Sequence, residues 1–527
     1  MSRERLYIFD TTLRDGAQTQ GVDFSVEDKR QIALALDALG VDYIEGGWPG
    51  ANPTDTSFFA ERPPLKRARF TAFGMTKRAG RSAANDPSLA PVLDAPIDAV
   101  CLVGKTSDYQ VRVALEISLE ENLENITRSM EAIVAKRREP LFDAEHFFDG
   151  YKANPEYALA CLRAAHEAGA KWLVLCDTNG GTMPEDVYRI VSDVKAKLPD
   201  AALGIHAHND TDQAVAVSLA AVRGGVRQIQ GTLNGLGERC GNANLCSLLP
   251  NLMLKEPFAS LFETGLTMEN LAQITHVSRL LDEILNRAPD RHAPYVGPSA
   301  FAHKGGLHSS AVMKDPATYE HVKPESVGNA RIIPVSDQSG RSNVLARLAE
   351  AGIKIDPKDM RVARVLDEIK RREFLGYAYD GAEASFELLA RRALDQVPDY
   401  FAVNSFRVSV ERSNGKTVSE GTVKLNVAGQ EIHSVGTGNG PVNALDAALR
   451  KDLGKYSPFL SDLRLVDYKV RILTSGTEAV TRVMVESADG KGNRWSTVGV
   501  SENIVDASFE ALTDSIIYKL YRDGARV

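Results

Sequence analysis

Two imidazoles and a carboxylate are enough to hold a catalytic divalent cation, and two short segments of this chain supply them. One is His206-Ala207-His208-Asn209-Asp210; the other is Arg14-Asp15-Gly16 near the N-terminus. Both fall where an apolar run gives way to polar residues, so both read as strand ends. On a strand, residues two apart project from the same side, which aims His206 and His208 in one direction. A two-nitrogen, one-oxygen set leaves coordination positions open for a reacting carbonyl, as a closed structural site does not. The rival reading of His-x-His alone is an ordinary polar strand end.

Something must carry these segments to one place. Short apolar runs alternate with amphipathic ones along the first three hundred residues. Candidate strands are Leu6–Asp10, Tyr43–Glu45, Arg69–Phe73, Ala99–Val103, Pro140–Asp143, Trp172–Asp177, Ala202–His206 and Gln228–Thr232. Helical patterns such as Val26–Leu39, Leu119–Ala135 and Pro155–Ala168 separate them. Eight alternations in about 250 residues match a (β/α)8 barrel better than an open doubly wound sheet. Barrel active sites lie at the C-terminal strand ends, and the chemically loaded residues fall there: Asp10–Gly16, Glu145 and His146, Asp177–Asn179, His206 and His208, and Asn234–Asn242.

The expected division is a barrel over 1–290, a helical linker subdomain over 291–397 and a C-terminal α+β domain over 398–527. The linker opens on Gly297–His308, whose glycines and two histidines read as a loop held near a ligand, and closes on a charged helical stretch, Pro357–Leu394. The last region repeats: Val435–Leu449 aligns with Val498–Leu512, each copy following β-rich text and starting a helix. Such duplication implies a pseudo-symmetric domain. The glycine-rich stretch Gly436–Gly440 reads either as a turn that caps its helix or as an anion-binding turn at the helix N-terminus. It lacks the spacing of a dinucleotide fingerprint.

With 527 residues, 43% hydrophobic and 25% charged, the chain is long enough for two or three cores. A net charge of -8 argues against a nucleic-acid platform. Five scattered cysteines make no disulfide framework. There is no apolar run of membrane length and no signal-peptide pattern after Met1, so a cytoplasmic protein with neither nucleic-acid nor membrane partner is expected.

Taken together, these segments resemble the metal-dependent, acyl-CoA-condensing barrel family that comprises the isopropylmalate, homocitrate and citramalate synthases. Asp10-Thr11-Thr12-Leu13-Arg14-Asp15-Gly16-Ala17-Gln18 is similar to its opening signature, and Asn234-Gly235-Leu236-Gly237-Glu238-Arg239-Cys240-Gly241-Asn242-Ala243 to its second. The C-terminal repeat is similar to the family's regulatory domain. Glu45–Pro53 resembles the citramalate-synthase-like branch more than the isopropylmalate branch.

The resemblance implies a condensation of acetyl-CoA, as cosubstrate, with a 2-oxo acid, pyruvate first and 2-oxoisovalerate second, supporting isoleucine biosynthesis. It implies a divalent metal ion (Mg, Mn or Zn) held by Asp15, His206 and His208, with Asn242 as fourth ligand or close support. Arg14 is expected to face the acceptor's keto oxygen and carboxylate, with Thr178 as a hydroxyl donor to that carboxylate or, alternatively, a strand-end cap. Glu145, His308 and Tyr319 are expected as the proton relay, His303 being the alternative to His308. A homodimer is implied, with isoleucine or leucine as effector held at the two repeat-helix N-termini. Two other classes share parts of this pattern. A hydroxymethylglutaryl-CoA-type lyase would place its cysteine in Gly-Gly-Cys-Pro, whereas Cys240 lies in Glu-Arg-Cys-Gly-Asn. A non-catalytic amino-acid sensor would have lost barrel ligands that this chain retains.

Overall fold

The computed structural model describes residues 3–332, 341–379, 381–413, 415–473 and 479–527. They form two compact units, one of residues 1–301 with 322–331 and the other of 302–321 with 332–527.

The first unit is a closed parallel barrel. Its strands are β1 (Tyr7–Asp10), β2 (Tyr43–Glu45), β3 (Arg69–Met75), β4 (Ala99–Lys105), β5 (Glu139–Glu145), β6 (Trp172–Asp177), β7 (Leu203–Ala207) and β8 (Gln228–Gly231), with β8 pairing back onto β1. Helix α1 (Val26–Leu39) shows why the outer layer forms where it does. A reciprocal Ser25–Asp28 capping box starts it, and Gly40 in the left-handed conformation ends it. Its buried face carries Ile32, Ala33, Leu36 and Leu39. The core between strands and helices takes the outward strand residues, among them Ile8, Ile44, Phe70, Leu102 and Phe142.

The inward residues obey the two-residue period of a strand. Phe9, Tyr43, Cys101, Leu141, Trp172 and Val174 form a separate apolar plug inside the barrel. One step of two further toward the C-terminal end, Tyr43 gives way to Glu45 and Leu141 to Asp143, and His206 on β7 and Gln230 on β8 continue this polar layer. An apolar floor beneath a polar layer is what positions the site.

The second unit contains α2 (Gly306–Lys314), α3 (Arg341–Glu350), α4 (Arg361–Phe374) and α5 (Glu383–Ala393). The helical stretch expected over Pro357–Leu394 is two helices, broken at Gly376, whose φ of 106° is left-handed. The C-terminal part is a duplicated three-strand-plus-helix unit. Antiparallel β9 (Ala402–Ser413), β10 (Lys416–Val427) and β11 (Gln430–Gly438) precede α6 (Pro441–Lys451), and β12 (Arg464–Ile472), β13 (Thr481–Ala488) and β14 (Arg494–Ser501) precede α7 (Ile504–Arg522). The duplication extends to single bonds. Ser434 Oγ donates to Ala448 O and Thr497 Oγ1 donates to Ala511 O, each at 2.7 Å and 63 positions apart.

Here the sequence expectation needs correcting. Gly436 and Gly438 are not a turn; they end strand β11. An added Cβ on Gly436 would collide with the backbone of α6 at Ala448, so this glycine serves close strand–helix approach and not anion binding. At the second copy, Asn503 accepts hydrogen bonds from Val505 N and Asp506 N, filling the N-terminus offered to an effector carboxylate.

Candidate active site

The loop after β1 is built before its charges are placed. Asp10 accepts from Thr12 N at 2.9 Å and from Thr12 Oγ1 at 2.8 Å, and Leu233 N donates to Thr12 Oγ1 at 2.9 Å, tying the two signature loops together. Burial raises the Asp10 carboxyl to about 7 against those bonds. Thr11 Oγ1 donates to Glu45 Oε2 at 2.6 Å. The opening signature is thus mostly scaffold for the two residues that follow it.

Those residues are Arg14 and Asp15. Arg14 pairs through Nε with Glu45 at 2.7 Å and through Nη1 with Asp15 at 3.2 Å, and its guanidinium lies 4.0 Å from the centre of the Phe73 ring. Trp48 packs edge-on against the far side of this support, its ring centre 5.6 Å from that of Phe73. A guanidinium pinned on three sides is preorganised for an oxyanion or carboxylate.

Asp15, His206 and His208 converge within ligating distance of one another. Asp15 Oδ2 is 3.2 Å from His206 Nε2 and 3.8 Å from His208 Nε2, and the two Nε2 atoms are 3.3 Å apart. Burial opposes the charge on Asp15, yet Arg14 and the two imidazoles hold its carboxyl well below the usual range. Burial likewise opposes protonation of His206, but Asp15 reverses the outcome and raises it. At His208 burial prevails, reinforced by His206, and lowers it to about 4. Asn242 is bridged to His208. Its Nδ2 donates to Leu236 O at 3.1 Å, while its buried Oδ1 has no partner among the described residues; the same holds for Asp15 Oδ1. Gly237, at φ 157°, makes this possible, because a Cβ there would collide with the Asn242 amide. Two converging imidazole nitrogens and two orphaned oxygens fit a divalent cation.

These groups open on a cavity of about 640 Å3 at the C-terminal end of the barrel. Arg14, Asp15, Glu145, Thr178, His206 and His208 line it. Thr178 Oγ1 accepts from His146 N at 2.8 Å, so the strand-end cap is real, and the hydroxyl proton is left to donate elsewhere. Glu145 pairs with Lys105 at 2.7 Å and lies 3.9 Å from His146 Nε2.

His308 and Tyr319 belong to the second unit, where their rings stack with centres 4.2 Å apart. His303, in the same unit, has its Nε2 3.2 Å from Glu320.

Sequence reasoning missed Lys105, Asp143 and Gln230. Lys105 and Asp143 lie on the inward period of Cys101 and Leu141, so stepping by two along β4 and β5 would have found them, whereas β8, which carries Gln230, has no plug residue to step from. Asp143 is buried, and burial pushes its carboxyl up.

Comparison with known proteins agrees with this geometry. Residues 5–278 match the HMGL-like family, 295–373 the homocitrate synthase post-HMGL domain-like family, and 380–520 the LeuA allosteric (dimerisation) domain. The chain is 52% identical over 526 residues to the (R)-citramalate synthase of Aquifex aeolicus and 51% identical over 528 to that of Geobacter sulfurreducens, covering 99% of this chain and 98% of each relative. It is 31% identical to the 2-isopropylmalate synthase of Methanocaldococcus jannaschii, covering 97% of this chain and 94% of that one.

Proposed function

The chain belongs to the family of the (R)-citramalate synthases, and from that membership together with the barrel site we infer that it condenses acetyl-CoA with pyruvate, releasing (R)-citramalate and CoA. The observation that carries this reading is the convergence of Asp15, His206 and His208 beside a pinned Arg14 in one cavity. A divalent cation (Mg, Mn or Zn) held there, with Asn242 as a further oxygen donor, would supply Lewis-acid polarisation of the acceptor's keto group.

The chain's own residues account for the rest. Arg14 binds the acceptor's carboxylate and keto oxygen, and Thr178 donates its hydroxyl proton to that carboxylate. The base removes a methyl proton from the acetyl group. The resulting carbanion-equivalent attacks C2 of pyruvate, forming the new C–C bond, and the alkoxide takes up a proton. Water then cleaves the thioester, giving the free carboxylate and CoA thiol. Glu145, His308 and Tyr319 are assigned the proton relay, with His308 as the base, an assignment that rests on the family resemblance. The stacking of His308 on Tyr319 supports treating those two together. Acceptance of 2-oxoisovalerate is the second reading, ranked below by the weaker similarity to isopropylmalate synthases.

The chain is divided by function into a catalytic barrel (1–290), a linker (291–397) and a regulatory domain (398–527). The C-terminal repeat is assigned dimerisation and feedback control, with isoleucine the first effector and leucine the second, in a cytoplasmic branched-chain pathway. A cavity of about 510 Å3 lined by Val442, Asp446, Arg450, Arg464, Leu465 and Tyr468 supports an amino-acid ligand, since it sets charges of both signs beside apolar walls.

Incubation with acetyl-CoA and pyruvate should yield citramalate, identified by mass and by chiral chromatography, with one free thiol per product. Asp15→Ala and His206→Ala should abolish product and bound metal while leaving the circular dichroism spectrum unchanged. Near-native turnover with normal metal content in either variant would refute the assignment.

A further inference from the structure

His206 must present an unprotonated Nε2 to serve as a ligand, and nothing in the imidazole itself decides which ring nitrogen carries the proton. The surroundings decide it. His206 Nδ1 is 2.8 Å from Gln230 Oε1, and Gln230 Nε2 donates to Asp143 Oδ1 at 3.0 Å. All three side chains are buried, Gln230 with 1% and Asp143 with 3% of its surface exposed.

We propose that Gln230 is a positioning residue that sets the tautomer of His206, and that Asp143 in turn sets the orientation of the Gln230 amide. Asp143 accepts from the Gln230 amide at its Oδ1, and a carboxylate oxygen can only accept. That fixes Nε2 of Gln230 toward Asp143 and leaves Oε1 facing His206. An amide oxygen can only accept, so Nδ1 carries the hydrogen and the Nε2 lone pair is directed at the Asp15–His208 cluster, 3.2 Å from Asp15 Oδ2 and 3.3 Å from His208 Nε2. The chain β5–β8–β7 thereby orders a ligand through two residues outside the Asp15–His206–His208 set. This inference rests on the metal reading above.

The test is Mn2+ binding to the full-length, metal-stripped chain, read by calorimetric titration. Gln230→Met keeps the side-chain length and removes the acceptor, and Asp143→Asn frees the amide to turn over. Each should weaken Mn2+ binding about 10- to 100-fold. The double variant Gln230→Glu with Asp143→Asn reverses the donor and acceptor between those two residues but still offers His206 Nδ1 an oxygen. It should recover affinity to within a few-fold of the wild type, which a merely space-filling role would not produce. If Gln230→Met does not fold, the recovery from Asp143→Asn to the double variant decides the matter alone. Wild-type Mn2+ affinity in both single variants, or a double variant as weak as Asp143→Asn, would overturn the inference. Failure of the wild-type chain itself to bind Mn2+ would instead overturn the metal reading.

Discussion

At the scale of single residues, two histidines compete for the role of base, and their surroundings differ. His303 has its Nε2 3.2 Å from Glu320, which engages that ring nitrogen, whereas His308 is exposed and stacked on Tyr319. His308→Ala should therefore lower kcat by roughly 10²- to 10⁴-fold, the usual cost of losing a general base, with little change in KM for the oxo acid. Steady-state kinetics of His308→Ala and His303→Ala, side by side, decide the point. A large kcat loss confined to His303→Ala would exchange the two roles. The three side chains that converge, Asp15, His206 and His208, were legible in the chain because they stand in short motifs. Lys105, Asp143 and Gln230 were not, because none of them stands in a motif and the meaning of each lies in a partner across space: Asp143 and Gln230 are 87 positions apart.

At the scale of elements, α1 does more than cover the barrel. Lys29 buries its ammonium group against Leu13 O at 2.9 Å, Gly46 O at 2.9 Å and the Asp55 carboxylate. Asp55 also accepts from Trp48 N at 2.9 Å. One cation thus ties the loop carrying Arg14 to the loop carrying Trp48. Breaking a buried pair from one side leaves an uncompensated charge, so Lys29→Met should cost about 3–5 kcal/mol of stability, measured by denaturant unfolding. A loss below about 1 kcal/mol would show that the pair is not structural.

Element boundaries were largely readable from the sequence. Val26–Leu39, Tyr43–Glu45 and Trp172–Asp177 stand where the hydrophobic period places them, since periodicity is a local property. The role of Gly436 was not readable, because a glycine needed for a helix lying against a strand looks in sequence like a glycine needed for a turn. The packing between α5 and the repeat was also invisible. Phe386 and Leu389 share a core with Val498, and Arg392 pairs with Asp514 at 2.8 Å. Ending the chain near Gln396 would strip α5 of these partners, so such a truncation should lose activity by unfolding the helices and cannot isolate regulation.

At the scale of the whole molecule, control is better tested in the intact chain. Isoleucine at about 100 times its Kd should stabilise the protein by roughly 2.7 kcal/mol, visible as a rise in thermal midpoint, and should slow turnover. Arg464→Glu, on the wall of the 510 Å3 cavity, should remove both effects. No response to any branched-chain amino acid would leave the LeuA-type domain with dimerisation alone. Among the described residues no helix is long and apolar enough to cross a membrane.

The acceptor is identified by release of CoA thiol from acetyl-CoA by the full-length, metal-replete protein with pyruvate, 2-oxobutyrate, 2-oxoisovalerate and 2-oxoglutarate in parallel. The highest kcat/KM is expected for pyruvate, with loss of thiol release on chelation. A clear preference for 2-oxoisovalerate, or undiminished release after complete removal of divalent metal, would contradict that expectation.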